Sequence, residues 1–246
     1  MKGGVLVIGS LFWDKDQGTF VNLRENWRKK RLLVDKRLHV FTPIRYGRVS
    51  NGVFTMVFSK EVEIQHSWGT AYVFPFKKEI KTFGGINNEA EHLSNAEGGK
   101  DVNLVKGNED KWCVIGILFN PNFDAAKRIK LLNQFQKKLD LQGLANVHDK
   151  FCVPPESSIL TPQGEININW PKTTNPKDQN DLDQFDFILA TCPKQNVDAY
   201  PTPLSIKDGA VGHTRKYFFN NIRNGITTFQ DRDILTLVTA EKEQVR

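Results

Sequence analysis

Val5-Leu6-Val7-Ile8-Gly9-Ser10-Leu11 holds four apolar residues in a row, stopped by glycine and serine. A continuous run this short reads as a strand buried on both faces. Glycine at its end lets another group come close to the backbone. Successive amides at such a turn can form a nest for an anion. A Gly-Ser pair after a strand is usually only a turn, so any chemistry here depends on what meets it.

Working outward, Phe20, Leu23 and Trp27 recur at helical spacing, with Thr19 as a cap and the basic run 28–31 near the helix end. Residues 38–41, 44–48, 53–58 and 68–74 are rich in strand formers. A helix over 86–97 follows, then a buried strand over 112–119 closed by Asn120-Pro121. That order predicts an α+β core over residues 1–122, a mixed, mostly antiparallel curved sheet or barrel with flanking helices. Residues 123–246 are expected to extend the sheet as an α/β extension or to form a small second domain. They hold an amphipathic helix over 123–141 with Ala126, Ile129, Leu132, Phe135 and Leu139 as its stripe. A proline-rich loop over 143–182 contains one hairpin, turning at Gln163-Gly164. A strand over 185–190, a helix over 204–224 capped by Gly225 and a last helix over 231–243 complete the reading.

The helix over 86–97 carries the sharpest chemical signal. Ile86, Ala90 and Leu93 form its apolar stripe, and the next position on that stripe is Glu97. Gly98-Gly99 stops the helix as a left-handed cap would. An acid at a helix C-terminus meets the negative end of the dipole, and partial burial acts in the same direction. Glu97 is therefore a candidate general acid/base. The plainer alternative is a frayed helix end with Glu97 in water.

Composition sets the boundaries. The 246 residues, 39% apolar and 25% charged, suit a globular protein with a sizeable core. The 34 basic and 28 acidic residues are dispersed, and the net charge of +6 forms no tail or stripe, which argues against a nucleic-acid partner. A positive field still helps to collect an anionic small substrate. Cys113, Cys152 and Cys192 are an odd, widely spaced set, expected to be buried thiols and not a disulfide scaffold or zinc site. His39, His66, His92, His148 and His213 have no histidine partner at helical spacing, so no metal site is expected. No signal peptide and no membrane span are read, and a reducing, cytoplasmic setting is expected. The sequence leaves oligomeric state open.

Gly9-Ser10-Leu11 together with Leu93-Ser94-Asn95-Ala96-Glu97-Gly98 resembles the γ-glutamylcyclotransferase superfamily, over residues 4–122. That family carries a Tyr-Gly-Ser motif after its first strand and a catalytic glutamate in Leu-Asp-x-x-Glu-Gly. The intervening strand order also matches, and Trp68-Gly69-Thr70-Ala71-Tyr72-Val73-Phe74 is similar to the family's Gly-x-x-Tyr strand. Two positions depart: Ile8 stands where the family has tyrosine, and Ser94 where it has aspartate. The resemblance implies an enzyme that binds a small γ-glutamyl compound, its α-carboxylate on the amides of Gly9, Ser10 and Leu11 beside Ile8. The compound's own α-amine attacks its γ-carbonyl, releasing 5-oxoproline and an amine, with Glu97 as general acid/base. No metal or organic cofactor is required.

Arg45 and Tyr46 are further candidate substrate contacts, since arginine grips carboxylates; strand alternation would put Tyr46 and Arg48 on one face. Ordinary exposed sheet residues are the alternative. Two other functions stay in view. One is a non-catalytic small-molecule binder of the same fold, which Ile8 favours. The other is a nucleic-acid partner using Arg215, Lys216, Tyr217, Phe218 and Phe219 of the C-terminal half.

Overall fold

The computed structural model describes residues 1–14, 23–98, 112–140, 151–208 and 213–244. Expectations for Thr19, Phe20, Gly99 and His148, and for the side chains of Leu139 and His213, lie outside the described residues. In chain order the elements are β1 (Gly3–Val7), α1 (Leu23–Arg31), β2 (Leu38–Thr42), β3 (Ile44–Ser50), β4 (Val53–Phe58), α2 (Lys60–Ile64) and β5 (Gly69–Pro75). There follow α3 (Phe83–Ala96), β6 (Cys113–Phe119), α4 (Ala125–Asp140), β7 (Lys172–Thr173) and α5 (Gln179–Asp183). The chain ends with β8 (Phe187–Pro193), α6 (Pro203–Asp208), α7 (His213–Arg223) and α8 (Asp231–Gln244).

Six strands form one sheet in the order β6-β8-β1-β5-β2-β7. Every pairing is antiparallel except β1 with β8, where Gly3 lies opposite Phe187 and Leu6 opposite Ala190. The architecture is thus α+β with a mostly antiparallel sheet. Among the described residues the sheet is open and not a barrel, because its edge strands β6 and β7 do not pair. A non-strand segment meets the outer edge of β6 instead: Ile117 donates to the Gly164 carbonyl at 3.1 Å, and Ile166 donates to the Ile117 carbonyl at 2.7 Å. The β3–β4 hairpin is separate and turns at Asn51-Gly52, whose φ values of +50° and +76° suit a two-residue turn.

Alternation along the strands explains the apolar runs. In β1, Val5 and Val7 enter one core while Leu6 enters the other, and Ile8 beyond the strand joins Leu6. In β8, Phe187 and Leu189 join the first core, and Ile188, Ala190 and Cys192 the second. The first core is covered by Trp27 of α1, by Ile86, Ala90, Leu93 and Ala96 of α3, and by Leu131 and Phe135 of α4. The second is covered by the β3–β4 hairpin, by Ile206 of α6, Phe218 of α7 and Ile234 of α8. A sheet covered on both faces needs apolar residues at both parities, and the sequence has them.

The later half of the chain completes the sheet of the earlier half. β8 lies between β1 and β6, so the sheet draws strands from both sides of residue 122. Other expectations shift locally. Among the described side chains of α4, Leu131 and Phe135 are buried; Ala126 and Ile129 are exposed, because the helix docks rotated from the stripe read in sequence. The expected hairpin survives as a turn at 161–164 with a single Leu160–Ile166 bridge. The long helix expected over 204–224 is described as α6 and α7, residues 209–212 lying outside the description. Cys113 and Cys192 are buried, while Cys152 is only half-buried. Among the described residues, no helix is long and apolar enough to cross a membrane.

Where α8 begins, Asp231 accepts from the Thr228 amide at 3.0 Å and from its hydroxyl at 2.8 Å. Burial pushes its carboxyl up to about 6, against the hydrogen bonds from Thr228 that act the other way. The native state therefore takes up a proton at higher pH than the unfolded chain does. The stability so gained is full below the ordinary aspartate range and is lost as pH rises through about 6. Between pH 7 and pH 5 the wild type is expected to gain about 1 kcal/mol relative to Asp231→Asn in denaturant unfolding. Parallel stability curves for the two proteins would remove Asp231 from this role.

Candidate functional site

The acid comes from α3. Thr82 caps the helix start, its hydroxyl accepting from the Gly85 amide at 3.1 Å. Ile86, Ala90 and Leu93 are fully buried, so the stripe anchors the helix on the sheet. Glu97 is the C-cap residue, its amide donating to Leu93 at 3.1 Å and to Ser94 at 3.0 Å. Gly98 follows with φ +77°, the left-handed position that glycine takes without a Cβ penalty. With the helix fixed to its last residue, the Glu97 side chain stays 10% exposed and does not fray into water.

The turn comes from the end of β1. The Gly9 carbonyl accepts from Phe12 at 3.0 Å, and the Ser10 carbonyl accepts from Trp13 at 3.1 Å and Asp14 at 2.8 Å. Among the described residues, the amides of Ser10 and Leu11 donate to no protein acceptor. Carbonyls turned into the loop and amides left over are the makings of an anion nest.

Arg24 of α1 ties the two together. Its guanidinium donates to the Ser10 hydroxyl at 3.1 Å, to Asp14 at 3.0 Å, to the Ala96 carbonyl at 3.3 Å and to Glu97 at 3.4 Å. Only 17% of its side chain is exposed. One turn along α1, Arg28 donates to the Leu11 and Asp14 carbonyls, and Arg31 pairs with Glu89 of α3. Arginines at i, i+4 and i+7 thus hold the loop after β1 and the length of α3 in one frame.

Ile8, Gly9, Ser10, Leu11 and Glu97 line one cavity of about 350 Å³, together with Arg24, Arg48, Thr55, Thr191 and Tyr217. Two positions almost ninety residues apart in sequence therefore share a wall-to-wall space. Arg48 donates to the Lys194 carbonyl at 2.8 Å and lies over the Trp112 ring. Burial lowers its guanidinium from the ordinary range, while the Cys113 thiol opposes that. The Arg48 Nε and the Thr191 hydroxyl are buried without a protein partner. Burial likewise pushes the Tyr217 phenol up to about 12; the Asn221 side chain and Met56 backbone act against it, Glu97 with it.

No family model matches the chain, and no curated protein or solved structure matches it. The site therefore rests on its own geometry. That geometry joins an enclosed carboxylate, its arginine, unused backbone amides and a protonated phenol around a space the size of a small metabolite. Such a set can hold an anion and move a proton. Among the described residues, no group of three or more His, Cys, Asp or Glu side chains is placed to hold a metal ion.

Arg45 and Tyr46 do not line this cavity. Arg45 pairs with Glu61 at 2.7 Å and stacks 3.7 Å above the Tyr200 ring. Tyr46 is 1% exposed in the second core, packed near Phe218 and Asp231. A β-bulge at Gly47 is the reason: Tyr46 faces Met56 and Arg48 faces the adjacent Thr55, so the simple alternation breaks between them. Arg48, expected on the same face as Tyr46, is the residue of this strand that reaches the cavity. Sequence reading also missed Arg24 and Tyr217. The i, i+4, i+7 arginines of α1 were a usable signal. Tyr217 gave none, since it sits in a helix whose apolar and basic residues read as an ordinary amphipathic face.

Proposed function

We propose that the protein is an enzyme of the γ-glutamylcyclotransferase type and that its sheet and α3 follow that superfamily's arrangement. The observation that carries this reading is the shared cavity: the largely enclosed Glu97 side chain and the Gly9-Ser10-Leu11 turn line the same space. A γ-glutamyl amide binds with its α-carboxylate on the Ser10 and Leu11 amides, steered by the net positive charge. Glu97 removes a proton from the substrate's α-ammonium. The freed nitrogen attacks the γ-carbonyl carbon and closes a five-membered ring. The bond to the leaving nitrogen then breaks as Glu97 returns the proton to that nitrogen, and the ring nitrogen sheds its second proton to the released amine, which departs as an ammonium. Because both reacting groups belong to one bound molecule, restricted geometry lowers the barrier. Arg24 holds Ser10 and Glu97 in register and keeps a cation beside the carboxylate.

Incubation with γ-glutamyl amines is expected to release 5-oxoproline and the free amine, read by chromatography. Absence of 5-oxoproline across alkyl, amino-acid and polyamine leaving groups would remove the catalytic reading. We also place the protein in a reducing, cytoplasmic setting, on the strength of the buried thiols Cys113 and Cys192.

A second reading, a non-catalytic binder of γ-glutamyl compounds, draws on the Arg24 contact that occupies Glu97 and on the apolar Ile8. It corresponds to ligand-induced stabilisation without turnover, about 2.7 kcal/mol at a ligand concentration a hundredfold above Kd.

A further inference from the structure

We infer that the Tyr217 hydroxyl is the hydrogen-bond donor that engages the carbonyl oxygen of the ligand in the Glu97 cavity, a role that rests on the γ-glutamyl reading proposed above. α7 brings this ring into the cavity wall from the far end of the chain. Its hydroxyl stands so close to the turn that a Cβ placed on Gly9 would lie 2.7 Å from it. The absence of a side chain at Gly9 is what lets the phenol reach the loop. Trp13 fixes the surroundings: its ring lies 6.0 Å from that of Tyr217, and its Nε1 donates at 2.7 Å to the Asn221 carbonyl oxygen, one turn further along α7.

Three observations make this group a donor. The hydroxyl borders the cavity itself, with the Asn221 side chain and the Met56 backbone beside it on the protein side. Burial keeps the phenol protonated at neutral pH, so it does not compete with Glu97 for the role of base. Its apolar neighbours on the turn, Ile8 and Leu11, offer no equivalent. As the α-nitrogen bonds to the γ-carbon, the carbonyl π pair moves onto oxygen, and the Tyr217 O–H stabilises that charge without giving up its proton. Collapse restores the carbonyl and expels the amine, which carries away the proton held by Glu97 and the second proton of the ring nitrogen. Thr191 is the rival, a buried hydroxyl without a partner in the same wall.

Tyr217→Phe removes one oxygen and keeps the ring, and Thr191→Val tests the rival. With γ-glutamyl amide as probe, Tyr217→Phe is expected to lower kcat roughly 10²–10³-fold with KM within about threefold of wild type. The acid limb of its pH profile should stay unmoved, and Thr191→Val should keep most of the wild-type rate. Wild-type kcat in Tyr217→Phe, or a loss in Thr191→Val alone, overturns the assignment and leaves the proposed reaction standing. If the wild type binds the amide but does not turn it over, the reaction falls and calorimetric affinity decides. A loss of about tenfold in Tyr217→Phe then supports the donor, and unchanged affinity overturns it. A wild type that neither binds nor turns over the amide overturns both. Native-like melting of each variant confirms that the comparison is between folded proteins.

Discussion

Replacing Glu97 with Gln is expected to lower 5-oxoproline release by roughly 10²–10⁴-fold, the span that one positioned acid/base usually supplies. Gln has nearly the same shape, so the wall of the cavity and the end of α3 remain. Its carbonyl oxygen can still accept from the Arg24 guanidinium, 3.4 Å from the carboxylate in the wild type. What disappears is the capacity to take a proton from the substrate ammonium and return it to the leaving amine. The loss should fall on kcat, and it should not be rescued by raising substrate. Retention of Arg24, Asp14 and Ser10 as a connected set limits the structural cost, which should stay near 1 kcal/mol. Wild-type turnover in Glu97→Gln, measured on the folded variant, would end the case for this acid whatever else lines the cavity.

The second large effect concerns the sheet. Phe187 opens β8, is fully buried, and lies opposite Gly3 of β1. Its ring rests where a side chain on Gly3 would stand, and it packs 6.3 Å from Phe76. Phe187→Ala is expected to cost about 3–5 kcal/mol. For a chain of this length that corresponds to a fall in Tm of roughly 6–20 °C. Because β8 lies between β1 and β6, the whole protein should melt in one transition at the lower temperature. Two transitions, with the earlier half melting at its wild-type temperature, would show that the halves are independent.

Much of this was readable in the sequence where burial is two-sided. The run 5–8 announces a central strand because water touches neither face. The stripe Ile86, Ala90, Leu93 predicts α3 and its docking, and the same count carries through to Glu97. What stayed hidden was pairing between distant segments. A hairpin such as β3–β4 advertises itself through Asn51-Gly52, but the parallel β1–β8 pair has no turn between its strands and so leaves no local trace. Arg24 hid for a different reason: a basic helix face usually points into solvent, and nothing nearby in sequence reveals the loop and helix end that enclose it. Arg45 and Tyr46 misled because one extra residue, Gly47, changes which side chains face the cavity. Ile129 misled because a helical stripe gives the spacing of a docking face but not its rotation.

The insertion of β8 beside β1 bears on how the protein emerges from the ribosome. When only the residues through β6 have been made, β1 has gained β5 on one side and offers a bare apolar edge on the other. Its permanent neighbour arrives some seventy codons later, with Phe187–Pro193. Until then the nascent chain must carry an open strand edge of the kind that invites association with other chains. Completion of the central pair therefore waits on the distal part of the message, and pauses in translation between those points would lengthen the time that this edge spends unshielded.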